Sequence, residues 1–429
     1  MLACRSWRLG ACPPFQLGTA GRAEDMIPPF LYLDRYRNEG TRAYSPHADY
    51  TEADPAYRPN SAVPTFDLQV FKIPRDELNV YSADPHPDLS EQYLPGNEAL
   101  FCVHPQVLDS RCDDPFLRRV LSFERTKDWI RVSPTSSTRT LYVREPGLPH
   151  ALKVHFPFRV SRYGRRMRDE VVEQAINVSK QLQHGIGSLD PQFAFLREVL
   201  GVTFMNLDSG SKRGENWGYL IRELEPFPSI SEVRPLVPGF SLYGRDFFEP
   251  GKSLLLFDLV EDRDPRTFVL EQIMFPIIRH WVESFLGFGF LLEPHGQNVL
   301  LELGTDGNVA RIVHRDLNLG IDCRRRQEIQ LPVDRSNTYN QMVSGEFNSI
   351  TYDKFMGGHF FDRLVAALAE RDPELNPEDF REPCRAEFAR IFPEHRQYLP
   401  RTIQYFSEER DEFGKPLFQD TGQPPVWRP

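Results

Sequence analysis

Leu292-Glu293-Pro294-His295-Gly296-Gln297-Asn298-Val299-Leu300 and the later stretch Val313-His314-Arg315-Asp316 decide how this chain is read. Between them lies Gly304-Thr305-Asp306-Gly307-Asn308. Its Asp-Gly pair suits a tight turn with positive φ, and apolar runs from Val299 to Leu303 and from Val309 to Val313 flank it, so the spacing predicts a β-hairpin. With Asp306 and Gly307 as the two turn residues, Gln297 falls opposite Asp316, and strand alternation puts His295 and Glu293 on the same face. That face gathers a carboxylate, an amide and an imidazole. Pro294 marks the residues before Gln297 as a loop or edge segment. Oxygen ligands on neighbouring strands are what a phosphate-bound Mg²⁺ uses, because that ion keeps several waters and takes only one or two protein carboxylates.

Working outward, the chain of 429 residues is 40% hydrophobic and 26% charged. That is the profile of a soluble globular protein with one large composite core or two to three lobes. A net charge of −10 disfavours a nucleic-acid partner held on a broad basic face. Locally the balance reverses: Arg159, Arg162, Arg165, Arg166 and Arg168 fall within ten residues. Such a cluster is either an anion site or the solvated start of a helix. Cys4, Cys12, Cys102, Cys112, Cys323 and Cys384 show no C-x-x-C pair and no zinc spacing, which fits reduced thiols in a cytoplasmic protein. The most apolar stretch, Thr267 to Leu292, carries Glu271, Arg279, His280 and Glu283, so it reads as a packed helix kinked near Pro276 and not as a membrane span. The first 25 residues lack a continuous apolar segment, so a secretion signal is not expected.

The expected architecture is α+β and multi-lobed: a mixed β-sheet palm carrying the site, a smaller strand-and-helix lobe in the position of fingers, and a helical carboxy-terminal lobe in that of a thumb. Residues 1–26 are expected as a disordered extension. Residues 27–98, rich in Pro, Asp, Tyr and Asn, hold one predicted strand, Phe66 to Ile73, and are expected to wrap a larger body. Residues 99–225 form the strand-helix lobe, with strands Thr138 to Arg144 and Ala151 to Val160 around the turn Glu145-Pro146-Gly147-Leu148-Pro149. A helix follows, because Val171, Val172, Ala175, Ile176 and Leu182 recur at helical spacing after Asp169 and Glu170. Trp217, Tyr219 and Ile221 alternate as in a strand whose other face carries Arg222. Residues 226–325 are the palm with its hairpin, and 326–412 the helical lobe, in which Phe360, Phe361, Leu364, Val365 and Leu368 form a core stripe. Residues 413–429, with four prolines and no period, are expected as a tail.

Lys153 lies across a hairpin from Ser136-Ser137-Thr138-Arg139-Thr140, and both precede the arginine cluster. Lysine supplies a point charge, arginine a planar fork, and hydroxyls and backbone N–H groups neutral donors, so together these make an anion site. Other nucleotide signals are missing. Gly244 and Gly251-Lys252-Ser253 have the wrong spacing for a Walker A loop, and Gly287 and Gly289 lack the third glycine of a dinucleotide fingerprint. No G-x-S-x-G or H-E-x-x-H occurs.

Taken in order, these segments resemble the IucA/IucC family of NRPS-independent siderophore synthetases, which join a carboxylic acid, commonly citrate, to an amine or alcohol through an acyl-adenylate. Phe101-Cys102-Val103-His104-Pro105-Gln106 is similar to the family's His-Pro-Trp-Gln segment without its Trp. Ser136 to Thr140 resembles its Ser-x-Arg-Thr strand, and Lys153, Ser161 and Arg165 have its lysine, hydroxyl and arginine spacing. Glu293-Pro294-His295-Gly296-Gln297-Asn298 with Arg315-Asp316 resembles its Glu-x-His-x-Gln-Asn and Arg-Asp pair. The resemblance runs from about residue 99 to 325. It implies that Ser137, Arg139 and Lys153 bind ATP phosphates, with Glu293 and Asn298 nearby. Gln297 and Asp316 would hold Mg²⁺, and Ser161, Arg165 and His295 the acid substrate. His295, Arg165 and Lys153 become the expected catalytic residues, and a homodimer the expected assembly. The family's upstream His-Pro-x-His-Pro-x-x-Lys-x-Arg segment has only Asp84-Pro85-His86-Pro87 as a faint counterpart.

Two other readings compete. A kinase-like small-molecule phosphotransferase would also place a lysine on a hairpin strand, and His314-Arg315-Asp316 spells the kinase triplet. The kinase loop, however, needs Asn five residues after that Asp, where this chain has Ile321, and no Gly-rich phosphate loop precedes Lys153. A catalytically silent relative would bind nucleotide or acid without turnover.

Overall fold

The computed structural model describes residues 27–39, 50–61, 63–110, 114–161, 163–205, 217–232, 234–333, 340–410 and 416–429. Its strands, in chain order, are β1 (Phe66–Pro74), β2 (Leu78–Ser82), β3 (Glu98–Val103), β4 (Glu124–Pro134), β5 (Thr140–Val143), β6 (His150–Val154) and β7 (Phe156–Val160). There follow β8 (Tyr163–Arg165), β9 (Phe193–Phe204), β10 (Gly218–Phe227), β11 (Leu236–Pro238), β12 (Phe290–Leu291), β13 (Val299–Leu303) and β14 (Val309–His314). Among the described residues an eleven-stranded sheet runs β11-β13-β14-β9-β10-β6-β5-β4-β1-β3, with β2 beside β9. Its one parallel pair is β14 with β9, so the sheet is mixed and the architecture α+β, as expected. Strands β1 and β2 belong to this sheet, which therefore crosses the expected boundaries at 98/99 and 225/226.

The hairpin follows the register read from the Asp-Gly turn through most of its length. Val299 pairs with His314, Leu300 with Val313, Leu301 with Ile312 and Glu302 with Arg311. The tip differs. Gly304 N–H donates to the Asn308 carbonyl at 2.8 Å, which leaves a three-residue loop, Thr305-Asp306-Gly307, with Gly307 at φ +76°. Leu303 then pairs with Val309, so Ala310 is the extra residue that restores the register.

The predicted strand Ala151 to Val160 is two strands, because the chain leaves the sheet at His155 and β7 pairs with β8 in a separate hairpin. The helix Asp169–Gly185 buries Val171, Val172, Ala175, Ile176 and Leu182, as its spacing predicted. It packs on β9 at Gly201, where a Cβ would stand 2.2 Å from Val172 Cγ1, so only glycine admits this contact. The apolar stretch near Pro276 is a helix from Pro265 to Val269, a π-helical turn from Leu270 to Met274 and a helix Phe275–Phe288. Pro276 has no N–H to give and its ring crowds the preceding turn, and the widened turn relieves both. Gly289, at φ +67°, ends that helix.

The carboxy-terminal part is helical over Ile350–Phe361 (a π-helix), Asp362–Ala369 and Glu378–Ile391. Phe360, Phe361, Leu364, Val365 and Leu368 are all buried. The expectation of a free tail is corrected for residues 416–429. Pro416–Asp420 is a strand paired with Gln404–Arg410, and Trp427, 1% exposed, packs its ring edge against Phe361. The Arg428 guanidinium meets buried Asp353 at 2.9 Å. One large aromatic and one buried ion pair fix a segment that has no periodicity to read.

Cys102, Cys323 and Cys384 are free and buried. Among the described residues no helix is long and apolar enough to cross a membrane. The amino-terminal extension, Cys4, Cys12, Cys112 and Arg162 lie outside the described residues.

Candidate active site

Residues 293–298 form a turn and not a strand. His295 N–H donates to the Glu293 carbonyl at 2.9 Å, and Asn298 and Val299 N–H both donate to the His295 carbonyl. Pro294 foreshadowed this break. Strand alternation therefore does not set the directions of Glu293 and His295, and neither lines the cleft described below. The ladder resumes where Arg315 N–H donates to the Asn298 carbonyl at 2.9 Å, and Gln297 and Asp316 come into the same cleft, as the sequence placed them.

The cleft has a volume of about 240 Å³. Ser136, Ser137 and Arg139 enter it from the turn between β4 and β5, Lys153 from β6 and Arg222 from β10. Ser161 and Arg165 come from the β7–β8 hairpin. Gln297, Asn298, Arg315 and Asp316 close the other side. Asn38, Tyr50, Thr51, Arg58 and Pro59 of the amino-terminal segment complete the wall. The cleft thus joins every expected site residue except Glu293 and His295.

Lys153 Nζ donates to Asp316 Oδ1 at 2.6 Å, and Arg222 Nη2 stands 3.9 Å from the same oxygen while pairing with Glu198 at 2.6 Å. Arg139 Nη1 donates to the Arg165 carbonyl at 3.1 Å, which ties the turn between β4 and β5 to the hairpin. Gln297 Nε2 donates to Ser136 Oγ at 3.3 Å, and Ser137 Oγ accepts from Thr140 N–H at 3.1 Å. His295 Nδ1 accepts from Gln297 N–H at 3.2 Å, and its ring stands edge-on to Phe355 at 5.6 Å. His295 is placed to hold Gln297 from beside the cleft.

Thr138, Ser161 and Asp316 have φ of +67°, +60° and +72°. All three line this cleft, and half of the positive-φ residues other than glycine among the described residues thus fall in one place. Such conformations are costly and collect where surrounding structure holds functional groups in fixed directions.

The electrostatics follow from burial among cations. Burial opposes ionisation of Asp316, but Lys153, Arg222 and Arg139 together outweigh it and hold the carboxyl well below the usual carboxylate range. Burial pulls Lys153 below its ordinary value, partly offset by Asp316. Burial and the neighbouring Arg165 lower Arg139 to about 10. Burial, with Asp316 next, raises half-buried Glu293 to about 8, and burial lowers His295 to about 4. At neutral pH the site therefore presents an ionised Asp316, a neutral imidazole at His295 and an excess of positive charge.

Among the described residues no three His, Cys, Asp or Glu side chains cluster to cage a metal ion. Asp316, Gln297 and Asn298 supply one carboxylate and two amides to a single cleft, a donor set that fits an ion held mainly by ligand phosphates and water. Arranged this way, the cleft can hold a polyphosphate beside a carboxylate.

Several members were not legible beforehand. Arg222 was placed on a strand face without a role, and Asn38, Tyr50, Thr51 and Arg58 were missed. Asp84 to Pro87 do not line the cleft: His86 has 45% of its side chain exposed and caps the helix Pro87–Tyr93. Arg58, following Asp54-Pro55-Ala56-Tyr57, is the early cation that does reach the cleft. Gln106 helps to position it by accepting from Asp54 N–H at 2.9 Å and donating to the Glu52 carbonyl at 2.8 Å.

The fold is shared with siderophore-assembly proteins of known structure. The petrobactin biosynthesis protein AsbB from Bacillus anthracis str. Sterne matches with a TM-score of 0.68 at 15% identity, over 87% of this chain and 71% of that one. The ATP-bound aerobactin synthetase IucA from a hypervirulent pathotype of Klebsiella pneumoniae matches with a TM-score of 0.63 at 15% identity, over 86% and 71%. The aerobactin synthetase IucC from the same pathotype gives 0.61 at 14% identity, over 80% and 65%. In sequence, residues 51–235 match the model described as the IucA / IucC family, so the resemblance carried by the motifs is borne out. No curated protein matches the chain.

Proposed function

We propose that this protein is an ATP-dependent synthetase that adenylates a carboxylic acid such as citrate and condenses it with an amine or alcohol, as in siderophore biosynthesis. The observation that carries this reading is the 2.6 Å contact between Lys153 and Asp316 inside a cleft that also presents Arg58, Arg139, Arg165, Arg222 and Arg315, on a fold shared with an ATP-bound synthetase. Ser137, Arg139 and Lys153 serve the phosphates, with Gln297 and Asn298 on the nucleotide side. Asp316 and Gln297 serve as protein ligands to Mg²⁺, which when bound neutralises phosphate charge as pyrophosphate departs. Ser161 and Arg165 hold the acid, and His295 fixes Gln297 from beside the cleft.

The charge distribution suits the chemistry. A carboxylate oxygen must approach a phosphorus surrounded by anionic oxygens, and fixed cations reduce that repulsion and stabilise the charge that builds in the transition state. Arg165 orients the acid, its oxygen attacks the α-phosphorus, and the bond to pyrophosphate breaks. The amine or hydroxyl then attacks the acyl carbon, and AMP leaves with the oxygen that came from the acid. The reading extends to a cytoplasmic enzyme acting as a homodimer on small molecules, with neither nucleic acid nor membrane as partner.

Incubation with Mg-ATP, a panel of di- and tricarboxylates, and hydroxylamine as surrogate nucleophile tests it. AMP with pyrophosphate is the expected product pair. ADP would support the phosphotransferase, and ligand-induced stabilisation without product the silent relative.

A further inference from the structure

We propose that the segment from Tyr50 to Pro59 is the acid-selecting wall of the cleft, and that Arg58 binds a carboxylate of the acid other than the one that reacts; this rests on the synthetase reading. The segment is built against the hairpin that carries Ser161 and Arg165. Thr51 forms a β-bridge with Val160, Glu52 N–H donates to the Arg159 carbonyl at 2.8 Å, and Ser161 N–H donates to the Tyr50 carbonyl at 2.8 Å. Tyr50 thereby helps to hold Ser161 at its positive φ. A latch reinforces the pairing: the Glu52 carboxylate accepts from Arg159 N–H at 2.6 Å and from Tyr50 Oη at 3.0 Å, while the Arg159 guanidinium lies 4.5 Å from the Tyr50 ring centroid. The wall belongs to the hairpin side of the cleft.

Charge then says what the wall receives. Of the cleft cations, Lys153 is paired with Asp316, Arg222 with Glu198, and Arg315 with Asp34 at 2.7 Å. Among the described residues Arg58, Arg139 and Arg165 have no carboxylate within ion-pair distance. Arg139 stands with Ser137 and Lys153, which leaves Arg58 and Arg165 as two separate guanidiniums on the acid side. Arg58 is exposed, but its backbone is not loose. Its Nε donates to the Ala53 carbonyl at 2.8 Å. Buried Arg35 gathers the carbonyls of Pro59, Ser61, Val63 and Pro64 just beyond, at 2.8 to 3.2 Å. A guanidinium presented from so fixed a loop, open to solvent and without an internal acid, is suited to a ligand carboxylate. A substrate satisfying both guanidiniums and still offering a reactive carboxylate carries three.

The test uses the full chain and two acids differing by one carboxylate, tricarballylate and glutarate. With hydroxylamine and Mg-ATP, the ratio of kcat/KM for tricarballylate to that for glutarate is measured in the wild type, Arg58→Ala and Arg58→Lys. Loss of one charge-assisted hydrogen bond should lower that ratio by about tenfold or more in Arg58→Ala, with the KM for ATP held and partial recovery in Arg58→Lys. An unchanged ratio, or a loss expressed in the KM for ATP, overturns the proposal. If the wild type forms no AMP with any acid, the synthetase reading fails, and equilibrium binding of the two acids to the same variants, scored by the same ratio, decides the role of Arg58.

Discussion

Asp34, on the first helix, accepts a hydrogen bond from the Arg315 guanidinium at 2.7 Å across 281 residues of chain, and its second carboxylate oxygen accepts from the Ser136 backbone N–H at 2.8 Å. Both side chains are buried, Asp34 completely. A single helix carboxylate thus fixes the turn that carries Ser137 and Arg139 relative to the loop that carries Asp316. Since Arg315 Nε also donates to the Gln297 carbonyl at 2.6 Å, the same knot reaches the residue facing Asp316.

Replacing Asp34 by Ala leaves the Arg315 charge buried without a partner and Ser136 N–H without an acceptor. Breaking a buried pair in this way costs on the order of 3–5 kcal/mol. Urea unfolding should show that loss, and Asp34→Asn, which keeps an acceptor, a smaller one.

Asp316→Ala should abolish pyrophosphate release, because it removes both the carboxylate proposed to hold Mg²⁺ and the partner of Lys153. Arg165→Ala should raise the KM for the acid and lower turnover while leaving ATP affinity largely intact. Steady-state kinetics with each substrate varied in turn separates the two outcomes. An equal loss of ATP affinity in the Arg165 variant would remove Arg165 from the acid pocket.

Glu293 gives a pH signature of definite sign. Its folded value near 8 lies above the ordinary carboxyl value of 4.5, so the folded protein holds a proton there that the unfolded chain has released. Stability conferred by this group is highest below about 4.5 and falls as pH rises towards 8. Glu293→Gln removes the cost, and its urea midpoint should exceed that of the wild type more at pH 8.5 than at pH 5. His295, lowered to about 4, acts in the opposite sense: it costs stability as pH falls from 6.5 to 4.

Gly357→Ala tests the docking of the carboxy terminus. A Cβ at Gly357 would lie 2.5 Å from Trp427 Cδ1, so the indole must leave its pocket or the π-helix must shift. Thermal unfolding should show clear destabilisation. Trp427→Ala should cost about 3–5 kcal/mol, the usual range for a buried Trp.

The parts of this molecule that were legible in the sequence are those in which local chemistry sets the geometry. The Asp306-Gly307 pair fixed the hairpin well enough that Gln297 and Asp316 were placed together, and Ala310 absorbed the one-residue error at the tip. Helical spacing located Asp169–Gly185, and the lysine and the Ser-x-Arg-Thr segment located one side of the cleft. What escaped is held by tertiary contacts without a period. Tyr50, Thr51 and Arg58 reach the cleft because Arg35, Gln106 and the β7 edge hold an irregular, Pro- and Tyr-rich segment in place. Trp427 is buried by a pocket made elsewhere. Glu293 and His295 were misdirected because a turn, closed by the His295 carbonyl, replaced the strand whose alternation had been assumed.

The measurement closest to the central claim follows one oxygen atom. With ¹⁸O in the carboxylates of an accepted acid, Mg-ATP and hydroxylamine, attack on the α-phosphorus followed by release of the adenylate must leave one acid-derived ¹⁸O in each AMP formed. Mass spectrometry of the nucleotide product should find that label. AMP free of ¹⁸O, or ADP as the product, would contradict the account.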